Sequence, residues 1–196
     1  MRALHFPGWS RFLDTFLASF RAALQRFSAS PDEAFAPATF LAFLDSSPDV
    51  FRREHVVGHF TGSAWLVSGD GERVLLTHHR KLGRWLQLGG HADGDRDLAR
   101  VALREAEEES GLGGLVVEPE IFDLDRHWIP SRDSEAGHWH YDVRFVVRAT
   151  GDEAFAVSEE SLALAWKPIG ELLADPITDA SLRRMAKRWM ERRAAT

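Results

Sequence analysis

Apolar residues recur at helical spacing over 9–28, at Phe12, Leu13, Phe16, Leu17, Phe20, Ala23, Leu24 and Phe27, which predicts an amphipathic helix. The pattern breaks at Ser28–Pro31 and Pro37 and resumes briefly at Phe40, Leu41, Phe43 and Leu44, before Ser46-Ser47-Pro48. From His59 the texture changes to short β-type runs. Ser63–Ser68 and Arg73–Thr77 read as two strands joined across Gly69-Asp70-Gly71, a strong hairpin signal. Trp85–Leu88 reads as a strand running into Gly89-Gly90, and Leu115–Val117, Ile121–Leu124 and His140–Arg148 as further strands. A helix is expected over Asp97–Ser110, capped by Asp95 or Asp97 and ended by Gly111. Another is expected over Ile177–Arg193, with Leu182, Met185, Ala186 and Trp189 on one face. Strands broken by helices in this way predict an α+β fold, a mixed sheet with helices on its faces. Residues 1–55 are expected to form an N-terminal helical extension, and residues 56–196 the main domain with its C-terminal helix.

Composition narrows the function classes. A chain of 196 residues supports one sizeable core with a small appendage. No stretch approaches the roughly 18 uninterrupted apolar residues of a membrane span. Polar residues interrupt the first helix, with Arg11, Arg21 and Arg26 among them, so it lacks the apolar core of a secretory signal. The absence of cysteine removes disulfides, thiolate zinc sites and cysteine nucleophiles together, and it suits a cytoplasmic location. A net charge of −6 argues against broad nucleic-acid binding. A phosphorylated substrate would therefore need its charge met locally, by metal ions or a basic patch.

The expected helix carries Arg104-Glu105-Ala106-Glu107-Glu108-Glu109. At about 100° per residue, Glu105, Glu108 and Glu109 share one face, while Ala99, Ala102, Leu103 and Ala106 occupy the neighbouring arc. Three carboxylates on one face repel one another unless a cation is present. Only Arg104 is placed to offset them, through Glu108. Hard oxygen donors without histidine or cysteine suit Mg²⁺ or Mn²⁺.

From Gly90 the chain reads Gly-x5-Arg96-x7-Arg104-Glu105-Ala106-x-Glu108-Glu109-x-Gly111-Leu112. This resembles the box of the Nudix hydrolase family, G-x5-E-x7-R-E-U-x-E-E-x-G-U with U apolar, and the preceding Trp85–His91 resembles the strand and double glycine leading into it. The strand pattern extends the resemblance over roughly 56–175. The resemblance implies an α/β/α sandwich, with Glu105, Glu108, Glu109 and the Gly89 carbonyl as metal ligands and Arg104 orienting the glutamates. It also implies attack of water on a phosphorus of a diphosphate linkage. Arg96 stands where the family has a glutamate, and Asp93, Asp95 or Asp97, above all one of the latter two, is expected to supply the missing carboxylate. Members of the family often take a general base from outside the box; Glu159 and Glu160 are the candidates here, with His138 and His140 as rivals.

Several residues outside the box remain open. His79, Arg80, Lys81 and Arg84, ahead of Trp85 and His91, form a basic stretch suited to phosphate, or else a solvated hairpin loop. Trp85 offers either a stacking surface or core packing. His138 and His140, two apart on a strand, share a face and suit substrate or metal contact, although such a pair is more often structural. The partner expected is a small phosphate-containing molecule such as a nucleoside diphosphate derivative; an RNA 5′ end and a homodimer stay open. The isopentenyl diphosphate isomerases share the fold, but the resemblance there requires a cysteine that is absent. The rival reading is a domain that binds ligand, or regulates, without strong turnover.

Overall fold

The computed structural model describes residues 7–28, 37–132, 136–157 and 161–195, with side chains from residue 15 onward. The helices are α1 (Pro7–Arg26), α2 (Pro37–Leu44), α3 (Leu98–Ser110), α4 (Ile169–Ala174) and α5 (Ala180–Ala194). The strands are β1 (Gly58–Val67), β2 (Arg73–His79), β3 (Arg84–Leu86), β4 (Leu88–His91), β5 (Leu115–Ile129), β6 (His138–Ala149) and β7 (Ser161–Pro168). They form one mixed sheet ordered β3-β2-β1-β6-β5, with β4 also paired to β1 and β7 to β2. β1 and β6 run parallel and every other pair antiparallel.

Alternation along the strands separates two cores. Phe60, Val143 and Phe145 pack with α3 residues Val101 and Ala102 on one face. Trp65, Val67 and Val146 pack with Leu182, Met185 and Trp189 of α5 on the other. The sheet is thus sandwiched between α3 and α5, as expected. Phe20, Leu24, Phe40, Phe43 and Leu44 join the α3-side core, and Phe43 stacks on Tyr141 with ring centroids 3.7 Å apart. Of the N-terminal aromatics, Phe16 is 40% exposed; the side chains of Phe12 and Leu13 lie outside the described residues.

Several boundaries differ from expectation for identifiable reasons. β1 begins at Gly58 rather than Ser63 because all ten of its residues are buried, so the strand shows no alternation to read. β5 is one strand whose register shifts between Val117 and Ile121, where Pro119 has no N–H to give the ladder. α5 starts at Ala180 because the Asp179 side chain accepts from the Ser181 N–H and caps it there. β7, which the sequence pattern did not suggest, pairs along most of β2.

The placement of α3 depends on close approach to the sheet. Gly62 of β1 lies beneath its first turn, and a Cβ there would sit 2.8 Å from the Leu98 carbonyl oxygen and 2.9 Å from Val101 Cγ1. Asp97 caps α3 by accepting from the Arg100 N–H, and Gly111 closes it in the left-handed conformation at φ 68°.

On the opposite face a buried ion cluster joins α5 to the sheet. Arg144 donates from Nε to Asp142 at 2.8 Å and from Nη1 to Asp123 at 3.0 Å. Arg184 of α5 donates to Asp123 at 2.9 and 2.8 Å and to Asp125 at 2.8 Å. Burial alone would raise the Asp125 carboxyl, but Arg144, His127 and Arg184 hold it well below the ordinary carboxylate range.

Two stability effects follow. Gly62→Ala should destabilise the protein by about 1–3 kcal/mol in chemical denaturation, because the helix must lift from the sheet; an unchanged midpoint would show that α3 tolerates the shift. Arg144→Ala, which strands buried Asp142 without its cation and leaves Asp123 to Arg184 alone, should cost about 3–5 kcal/mol in the same measurement.

Candidate active site

The acidic face of α3 lies against β4. Gly89 N–H donates to Glu109 Oε1 at 2.8 Å. Glu105 lies over Gly90 so closely that a Cβ there would stand 2.6 Å from the carboxylate carbon. A Cβ on Gly89 would stand 2.7 Å from Ser63 Cα. The sheet therefore demands glycine at position 89, while a side chain at position 90 would displace the Glu105 carboxylate.

Arg104 bridges helix and strand, donating to Glu105 Oε1 at 2.8 Å and to the His91 carbonyl at 3.0 Å. Its partner is thus Glu105 rather than the expected Glu108, because the β4 edge supplies a second acceptor on that side. The hydrogen bond to Glu105 raises the Arg104 pKa further above its ordinary value. Glu108 is exposed.

None of the three aspartates takes up the role of the missing glutamate beside Arg104. Asp93 is held by Arg53 at 2.7 and 2.8 Å, which lowers its pKa. Asp95 is held by Arg100 at 3.0 and 2.7 Å, and Asp97 caps the helix. Arg96 is half-buried. Each aspartate is hydrogen-bonded to another arginine or N–H rather than to Arg104, although Asp95 still places negative charge near it.

On the other face of the sheet, beyond the ion cluster, the histidines converge. β1 and β6 pair His59 with His140, β5 and β6 pair His127 with His140, and β4 and β1 pair His91 with Thr61. The His59 ring centroid lies 4.9 Å from that of His91 and 4.8 Å from those of His138 and His140. His59 is 1% exposed, and neither of its ring nitrogens has a hydrogen-bond partner. Burial, and then the neighbouring rings, push the pKa of His59 down to about 3 and that of His140 to about 2. Both rings are neutral near neutral pH. The shared face of His138 and His140 was legible from their spacing. His59, His127 and Asp142 were not, since only the strand register brings them there.

Asp142 links this end of the sheet to the strand before the glycines, accepting from Thr61 at 2.9 Å, Ser63 at 2.7 Å and Gln87 at 3.3 Å. The basic stretch occupies the β2–β3 hairpin. Arg80 donates to the Ser161 carbonyl at 3.0 Å, the Lys81 N–H donates to the His79 ring at 3.2 Å, and Arg84 approaches Asp179 at 3.4 Å. Trp85 packs partly against the α5-side core, with Lys167 4.7 Å over its ring and the His78 ring 5.2 Å away. Arg84 and Trp85 line a cleft of about 620 Å³ that also includes Lys167 and Asp179. Glu159 and Glu160 lie outside the described residues.

The structure resembles a binary complex of a C. elegans Ap4A hydrolase, with a TM-score of 0.54 and 13% identity, covering 70% of this chain and 98% of that one. It resembles the MutT protein from Methanosarcina mazei Go1, with a TM-score of 0.52 and 19% identity, covering 68% and 94%. It also resembles the E. coli dihydroneopterin triphosphate pyrophosphohydrolase, with a TM-score of 0.50 and 16% identity, covering 66% and 92%. At these identities the likeness is one of fold. No curated protein matches the sequence. The model of the NUDIX domain, however, matches residues 58–189, the span that holds every strand and α3. The chain belongs to the NUDIX family.

Proposed function

We propose that this chain is a Mg²⁺- or Mn²⁺-dependent hydrolase that cleaves a diphosphate linkage in a nucleoside diphosphate derivative or a similar small molecule. The observation that carries the proposal is the acidic face of α3 pressed against Gly89-Gly90, with Arg104 tying Glu105 to the β4 backbone. The donors fit the ion: carboxylate oxygens without sulfur, beside a glycine cradle that a Cβ would fill. Glu105, Glu108, Glu109 and the Gly89 carbonyl would hold it. Bound there, the ion supplies charge neutralisation at the phosphates and a water made nucleophilic at neutral pH.

The chain's own residues do the remaining work. Arg104 fixes the orientation of Glu105, and the Gly89 N–H fixes that of Glu109, so both carboxylates are preorganised before substrate arrives. Arg84, Lys81 and Arg80 at the β2–β3 hairpin provide positive charge for the substrate's phosphates or an acidic substituent. The general base is Glu159 or Glu160. Residues 56–196 carry the reaction, and the helices of 1–55 buttress it through the shared core.

A second reading, a binding or regulatory domain of weakened turnover, is favoured by one observation: no aspartate hydrogen-bonds Arg104 in place of the absent glutamate.

A panel of nucleoside diphosphate derivatives assayed with Mg²⁺ and Mn²⁺ tests the proposal. Release of phosphate-containing products should depend on the ion, and Glu109→Gln or Glu108→Gln should lower kcat at least about 100-fold with folding intact; full turnover in both variants would remove the assignment. Arg96→Glu should maintain or raise activity, by restoring a carboxylate within reach of Arg104. A sharp fall would instead give Arg96 a role in binding substrate.

A further inference from the structure

We propose a second metal site in this chain, built from the imidazoles of His59, His91, His140 and His138, which takes a borderline transition ion of the Zn²⁺ class. It lies on the α5 side of the sheet, at the opposite face from the α3 glutamates, and it does not depend on the hydrolase reading.

Three observations carry it. Ligand atoms of His59, His91 and His140 all lie within 4.8 Å of one another. Nitrogens bound at about 2.0–2.1 Å in a tetrahedron stand roughly 3.3 Å apart, so modest ring rotation brings the three onto one ion. His138 Nε2 and His140 Nε2 are already 3.2 Å apart, close to such an edge.

The second is the state of His59. An imidazole buried to 1% exposure with both nitrogens unpartnered is costly unless something else satisfies it. The rings packed against it are His91, His138 and His140, so a hydrogen bond within the cluster satisfies one ring at another's expense. A cation accepts lone pairs from all of them at once.

The third is tautomer. The Ala136 carbonyl, 2.9 Å from His138 Nδ1, can only accept, so in the neutral ring that nitrogen carries the proton and Nε2 presents its lone pair to the cluster. Metal-bound histidines are oriented in the same way, by donating their other N–H to a carbonyl or carboxylate. An all-nitrogen donor set selects Zn²⁺, Co²⁺, Ni²⁺ or Cu²⁺ over Mg²⁺. It is therefore chemically distinct from the oxygen donors across the sheet.

The test uses chelator-treated full-length protein, titrated with Zn²⁺ by calorimetry in the presence of excess Mg²⁺, and with Co²⁺ followed by visible absorption. The expected result is one ion per chain, not displaced by Mg²⁺. It should be retained when Glu105, Glu108 and Glu109 are all changed to Gln, and weakened at least about tenfold in His140→Ala and in His91→Ala. Circular dichroism confirms folding of each variant. If His140→Ala fails to fold, His91→Ala decides. A Zn²⁺-dependent rise in Tm that is present in the wild type and absent in His91→Ala gives an independent reading. Zn²⁺ binding unchanged in the histidine variants, binding lost in the glutamate variant, or no stoichiometric binding would each overturn the site.

Discussion

The candidate site depends on how closely one helix lies on the sheet. α3 rests on β1 at Gly62, where no side chain larger than hydrogen fits beneath the Leu98 carbonyl. Register then places Gly90 opposite Gly62 on the adjoining strand, and Glu105 lies over Gly90 in turn. Gly62 thus sets the height of the helix, and Gly90, paired with it across β1 and β4, leaves room for the Glu105 carboxylate. Ala102 and Ala106, both buried on the same helix, keep the rest of that face thin. A helix standing even one methyl group higher would carry its glutamates away from the β4 backbone, in an interior packed closely enough to transmit the shift.

The opposite face is organised by charge. Arg144 and Arg184 place two guanidiniums among Asp123, Asp125 and Asp142, and this polar layer separates the apolar contact of Trp65 with α5 from the histidines at the far end. Removing charges from water is costly, so such a layer persists only where each group is met. Here the carboxylates are met several times over, by arginines and by Thr61, Ser63 and Gln87. At the histidine end, by contrast, neither ring nitrogen of buried His59 has a hydrogen-bond partner. One sheet therefore presents hard oxygen donors on one face and nitrogen donors on the other.

Much of this was legible in the sequence wherever a pattern was local. The acidic face of α3, its Asp97 cap and Gly111 end, and the double glycine before it follow from spacing along a single element. The family follows from the same segment. What was not legible depends on pairing between distant strands. His59 meets His140 only because β1 and β6 run parallel in that register, and β7 escaped notice because its alternation is weak around Trp166. Asp95 and Asp97 were expected near Arg104; Arg100 and the helix N-terminus, both nearer, claimed them instead. Competition among several adjacent aspartates for nearby arginines is a matter of three-dimensional distance, which spacing alone does not rank.

The central claim is that the α3–β4 junction is where the divalent ion binds. Substoichiometric Mn²⁺ added to isotope-labelled protein, read as paramagnetic loss of individual amide signals, tests it most directly. Signals from Gly89, Gly90 and residues 105–109 should disappear first, ahead of those from β6 and α5. Loss beginning at His59 and His140, or spread evenly over the surface with α3 untouched, would contradict it.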